Sequence, residues 1–171
     1  SIVRGTTLEK GILSLLDKLS PKKIVIVSSA PQIRYPDCYG IDMSKMKDFV
    51  AFRAALALLQ ERGLENILDE VNLKCLVALE NGTATSENFV KAIYEPFTNE
   101  EISNKIAEIV KPKHLQAEVS VIYQTVENLN VACPNHLGDW YFTGNFPTPG
   151  GNQVVNKAFV NFMKGVEVRA Y

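Results

Sequence analysis

From Leu8 onward, apolar residues recur at helical spacing. Leu8, Ile12, Leu13, Leu15, Leu16 and Leu19 share one side of a 3.6-residue repeat, which predicts an amphipathic helix. Pro21 ends it, because proline carries no amide hydrogen and disfavours helical geometry at Ser20. The period then changes. Ile24-Val25-Ile26-Val27 is an unbroken β-branched run between polar flanks, which predicts a strand buried on both faces, as in a parallel sheet. Residues 30–43 carry Pro31, Pro36 and Gly40 and read as a long loop. A loop of that length after a buried strand is more often functional than idle. Helical spacing returns over residues 45–60, with Asp42 or Ser44 as the cap and Gly63 just past the end. A second helix is expected over residues 64–77, a turn over 80–86, and a short helix over 88–94 that Pro96 breaks. Thr98-Asn99-Glu100-Glu101 has capping-box spacing and opens a helix that runs to about Val110, where Pro112 stops it. Residues 119–123 form the second strand candidate, and residues 124–131 a short helix. Residues 134–151 are turn-rich and aromatic, and residues 154–164 return to helical spacing with Val155, Phe159 and Phe162 on one side. No internal repeat or low-complexity tract interrupts this order.

Helix followed by buried strand is half of an α/β crossover unit. Two strands are too few for an independently stable sheet, so the expectation is an α/β fold holding part of a parallel sheet. Composition agrees with a globular domain: 171 residues, 46% hydrophobic and 22% charged, enough to bury a core. The charge balance, 18 basic against 19 acidic residues for a net −1, argues against a nucleic-acid partner. No apolar run is long enough to span a membrane, and no secretory leader opens the chain. Three widely spaced cysteines, Cys38, Cys75 and Cys133, suit a reducing cytoplasm better than a disulfide scaffold. On that reading the sequon Asn81-Gly82-Thr83 is a chance turn. The chain opens directly on Ser1-Ile2-Val3-Arg4-Gly5-Thr6-Thr7 without a methionine, which reads as the middle of a longer protein.

That heptad carries the sharpest candidate chemistry. A glycine-containing turn at a helix N-terminus presents backbone N–H groups to a phosphate, threonine hydroxyls add donors, and Gly5 permits close approach. The same residues also fit plain capping, with Thr6 as N-cap and Glu9 three residues on. Elsewhere the signals are weaker. Cys133-Pro134-Asn135-His136 has zinc-like spacing, but Cys75 and His114 would have to complete four ligands, and no metal site is expected. Pro149-Gly150-Gly151-Asn152 reads either as an anion nest or, more simply, as a turn with an Asn cap. Trp140, Tyr141 and Phe142 are expected in packing. The pairs Asp69-Glu70 and Glu100-Glu101 read as solvated helix faces.

Together with the segments C-terminal to it, the heptad resembles the tail of the phosphoribosyl-pyrophosphate (PRPP) motif of type I phosphoribosyltransferases, in the wording of the amidophosphoribosyltransferase family. Ser29-Ala30-Pro31-Gln32-Ile33-Arg34-Tyr35-Pro36 and Tyr39-Gly40-Ile41-Asp42-Met43 resemble that family's next loop. Val121-Ile122-Tyr123-Gln124 and Phe142-Thr143-Gly144-Asn145-Phe146-Pro147-Thr148 resemble its last sheet segment and C-terminal element. The resemblance is strong over residues 1–44 and weaker over 117–148.

The resemblance implies a Rossmann-like phosphoribosyltransferase sheet. It also implies a glycosyltransferase that moves glutamine-derived ammonia onto PRPP, giving 5-phosphoribosylamine at the start of purine synthesis. It implies Mg²⁺ with the pyrophosphate, purine nucleotides as inhibitors, an N-terminal glutaminase domain, and a cytoplasmic homo-oligomer. Ser1, Arg4, Gly5, Thr6 and Thr7 match the 5′-phosphate loop. Tyr39 and Asp42 match the loop facing the ammonia side, where Asp42 would orient the amine; as a residue it fits a helix cap equally well. Two adjacent aspartates, the glutaminase domain and the catalytic loop precede this motif in the family, so the chain is expected to be inactive alone. Residues 1–48 would be the end of the transferase core, 49–112 a helical insertion at the surface, and 113–171 the final strand and a C-terminal extension. Some members hold an iron–sulfur cluster on four cysteines that include a C-x-x-C. Here three cysteines are present, with Gly138 and Tyr141 at the matching positions, so no cluster is expected. A binding module that reuses the phosphate loop, or part of a salvage phosphoribosyltransferase, are the alternative readings.

Overall fold

The two β-branched runs pair. In the computed structural model, which describes residues 2–38, 43–81, 86–136 and 138–170, β1 (Lys23–Ser28) and β2 (Glu118–Tyr123) lie parallel. Ile24 stands opposite Val119 and Ile26 opposite Val121. Among the described residues these two strands make up the sheet, so the fold is mixed α/β with a small parallel sheet.

Burial corrects one expectation. Ile24 and Val121 are buried, but Val25, Val27 and Ile122 are 47%, 72% and 53% exposed. The strand expected to be covered on both faces is covered on one. Helix α4 (Asn99–Val110) packs against β2, and the alternation of side chains along a strand sends the other set outward.

The first helix starts at Thr6, carries a wide, π-helical turn at Leu8–Ile12 and continues as α1 (Leu13–Asp17). Leu8 and Leu13 are buried, whereas Ile12, Leu15 and Leu19 are exposed. The wide turn explains the difference from a single apolar face. It takes more residues per turn than an α-helix, so the later leucines are rotated away from the stripe that the sequence predicts.

Residues 45–60 do not form one helix. A short 3₁₀ turn, Met46–Asp48, comes first, Phe49 is extended, and α2 (Val50–Glu61) follows. Ser44 does not cap it, and Asp42 lies outside the described residues. The N-cap position falls on Phe49, which has no capping side chain, and the Val3 carbonyl accepts the Val50 N–H at 2.8 Å instead. Next come α3 (Asn66–Glu80), entered after Gly63 at φ +65°, and a 3₁₀ turn at Phe89–Ile93 where Asn88 caps the Val90 N–H. Residues 49–112 supply much of the core: Phe49, Phe52, Leu59, Ile93, Ile102 and Ile106 are fully buried.

α5 (Val126–Ala132), α6 (Trp140–Thr143) and α7 (Pro149–Met163) complete the chain. The last helix starts five residues ahead of the expectation. Pro149 sits in its first turn, and the Thr148 hydroxyl accepts the Gly151 N–H. Asn152 is therefore inside a helix and caps nothing; its side chain donates to the Ser86 carbonyl at 3.0 Å. Among the described residues no helix is long and apolar enough to cross a membrane.

The capping box at α4 forms as its spacing predicts. The Thr98 hydroxyl accepts the Glu101 N–H, and the Glu101 carboxylate accepts the Thr98 N–H at 2.7 Å. That backbone bond, then the bond from Arg62, holds the Glu101 carboxyl below its ordinary range. A depressed folded-state pKa contributes stability above the unfolded value and loses it as pH falls. Thr98→Ala is expected to lower stability by about 1 kcal/mol in urea unfolding. The stability difference between the wild type and Glu101→Gln should shrink as the pH is taken through the carboxylate range; a constant difference would contradict the assignment.

Candidate functional site

The turn ahead of the first helix is built from backbone. Gly5 adopts φ +77°, a conformation that costs other residues free energy. It is also boxed in: a Cβ there would lie 2.9 Å from Val110 Cγ1 and 3.3 Å from Val50 Cγ2. The Glu9 N–H bonds to the Gly5 carbonyl at 3.0 Å. Thr6 is therefore the first helical residue and not a cap, and the Thr6–Glu9 capping box does not form among the described residues. The N–H groups of Thr6, Thr7 and Leu8 lie ahead of that first bond, where helix amides have no intrahelical acceptor. Thr6 and Thr7 are exposed. The dipole's positive end adds to the attraction for an anion.

Arg4 projects toward the 3₁₀ turn, with Nη2 4.0 Å from Asp48 Oδ2. Its carbonyl accepts a 2.6 Å hydrogen bond from Arg53 Nη2 of α2. Arg4, Gly5, Thr6 and Thr7 thus form one continuous turn. Ser1, Tyr39 and Asp42 lie outside the described residues. The base of the loop that carries Tyr39 and Asp42 is described: the Asp37 N–H bonds to the Met43 carbonyl at 3.2 Å, and the Tyr141 hydroxyl donates to Asp37 Oδ1 at 2.9 Å.

A cavity of about 560 Å³ opens at the carboxyl ends of β1 and β2, lined by Gln32, Arg34, Asn99, Ser103, Tyr123 and Phe142 among others. Open α/β sheets present their ligand crevices at this end. Arg34 is held by neutral acceptors, Gln32 Oε1 and Asn99 Oδ1, and lies over the Tyr94 ring at 5.1 Å. Burial lowers its pKa and raises that of Tyr123. The phosphate-type turn and this cavity do not meet. Gly5 touches Val110 at the end of α4, whereas the cavity takes Asn99 and Ser103 from its start, roughly 15 Å apart at 1.5 Å per residue. The Arg34 cluster was not among the expected site residues. The available signal was an arginine inside a proline-flanked loop after a buried strand.

Among the described residues no three His, Cys, Asp or Glu side chains gather to hold a metal. Cys75 is buried in α3, its thiol pushed up to about 12 by burial; Cys133 is exposed and Cys38 half-buried. Trp140, Tyr141 and Phe142 are partly buried, and Trp140 packs on Tyr141 at 5.6 Å.

Set against known proteins, the chain is similar to a group of transferases. They are amidophosphoribosyltransferases. That of Haemophilus influenzae is 48% identical over 52 residues, 30% of this chain and 10% of the relative. That of Escherichia coli is 45% identical over 51 residues, again 30% and 10%. That of Saccharomyces cerevisiae is 27% identical over 130 residues, 71% of this chain and 25% of the relative. The chain is thus related in sequence to amidophosphoribosyltransferases, and it spans a tenth to a quarter of the length of these curated relatives. No family model and no solved structure matches it.

Proposed function

We propose that the chain supplies the 5′-phosphate end of the PRPP site of an amidophosphoribosyltransferase. The whole enzyme would transfer glutamine-derived ammonia to PRPP, giving 5-phosphoribosylamine, in the cytoplasm. The observation that carries the reading is the Gly5 turn: it opens a helix with Thr6 and Thr7 exposed in the first turn, inside the heptad that resembles the family's motif. The residues act by binding and orienting. Backbone N–H groups and two hydroxyls hold the phosphate, and a phosphate held at one end fixes where the sugar carbon at the other end meets its nucleophile. The glutaminase domain, PRPP, purine nucleotides, Mg²⁺ and further copies of the enzyme are partners on this reading, and the chain by itself is inactive.

Titration with ribose 5-phosphate tests it. The amide signals of Thr6, Thr7 and Leu8 should shift together in NMR spectra. Thr6→Val with Thr7→Val removes two hydroxyl bonds to a charged group, about 1.5–3 kcal/mol each, so binding should weaken about a hundredfold or more. Equal affinity in the double variant would sink the reading.

A further inference from the structure

Three carbonyl oxygens lead into the first helix, and each is held by a donor. The Val3 carbonyl accepts the Val50 N–H at 2.8 Å, and the Gly5 carbonyl accepts the Glu9 N–H at 3.0 Å. Between them, the Arg4 carbonyl accepts Arg53 Nη2 at 2.6 Å. A carbonyl oxygen turned toward an incoming anion repels it. With all three engaged by protein donors, the electrostatics of the turn are set by the amide hydrogens of Thr6, Thr7 and Leu8.

Of the three donors, Arg53 is the one that is a charged side chain. It comes from the first turn of α2, three residues after Val50, so the backbone and the side chain of one helix end address the same turn. Its guanidinium sits directly behind the glycine, with Nη2 3.6 Å from where a Gly5 Cβ would stand. Its Nε is buried with no hydrogen-bond partner. No ion pair to a carboxylate is formed by Arg53 among the described residues. A guanidinium left partly desolvated without a counter-charge is unfavourable in the free protein, and an anion bound at the turn would relieve that.

Resting on the phosphate-turn reading above, we propose that Arg53 is its positioning residue. It ties the Arg4 carbonyl back from the anion and places a full positive charge behind Gly5, so that affinity for a phosphate monoester depends on it. The residue belongs to the 49–112 segment, whose first helix thereby becomes part of the phosphate site.

The test titrates the full chain with ribose 5-phosphate and reads the Thr6 and Thr7 amides together with the Arg53 Nε–H. In the wild type all three signals should move with one midpoint. Arg53→Met should weaken binding about tenfold or more with an unchanged melting temperature. Arg53→Lys, which keeps the charge but not the fork of donors, should recover part of the loss, which a merely structural role would not require. Should Arg53→Met fail to fold, the wild-type Nε–H response decides alone. Threonine amides that respond while the Nε–H stays still, with full affinity in Arg53→Met, would overturn this inference and leave the phosphate turn standing. No response of the threonine amides would remove the turn reading and this inference with it.

Discussion

Gly144→Ala is expected to destabilise the protein by about 3 kcal/mol, from the strain of a left-handed backbone plus overpacking. Gly144 ends α6 at φ +75°. A Cβ there would fall 2.7 Å from Tyr35 Cζ and 2.8 Å from Asn88 Nδ2. Neither neighbour can yield. Tyr35 is 2% exposed, packed edge-on against Tyr94 and Phe146, and Asn88 is occupied on both sides, donating to the Gly144 carbonyl and accepting from Val90. The same region clamps the loop after β1, because the Arg34 and Tyr35 N–H groups both bond to the Tyr141 carbonyl. Urea unfolding checks the size of the effect, and hydrogen exchange at Arg34 and Tyr35 should accelerate with it. A change within a few tenths of a kcal/mol would mean that the ring and the amide move aside freely.

The second large effect is expected at Phe52, fully buried in α2. Its ring meets Phe159 at 6.2 Å and Phe162 at 4.9 Å, both nearly edge-on, which joins α2 to α7. Phe52→Ala leaves a cavity between two helices that are pinned elsewhere, and about 3–5 kcal/mol should be lost. Domains of this size hold only about 5–15 kcal/mol in total, so the variant should unfold at much lower denaturant or fail to accumulate. The less severe Phe52→Leu should keep most of the stability, and equal losses in the two would exclude the cavity explanation.

Legibility in the sequence tracks the range of the interactions involved. The α4 capping box was legible because Thr98 and Glu101 answer each other within one turn. The strands were legible because Ile24 to Val27 and Val119 to Ile122 declare themselves by side-chain shape. The start of α2 was not, since its N-terminal amide is satisfied by Val3, 47 residues away (50 − 3). The early start of α7 had a local sign, Thr148 before Pro149, which two following glycines obscured. Those glycines have different reasons: a Cβ on Gly151 would strike Phe146 at 2.6 Å, whereas one on Gly150 meets nothing closer than Thr148 Oγ1 at 4.0 Å. At the candidate site, the Gly5 turn was visible as a motif. Arg53 was not, because nothing in a helical stretch of alanines and leucines says that its arginine ends beside residue 4.

The pairing of β1 with β2 joins Lys23 to Glu118, 95 residues apart. Closing a chain of that length takes about 4 kcal/mol of entropy by the (3/2)RT ln n relation, more than a two-stranded ladder with one covered face can return. The packing of the helices between offsets that cost in the folded chain. Residues 49–112 are the bridge over which the two strands meet, with α4 packed on β2.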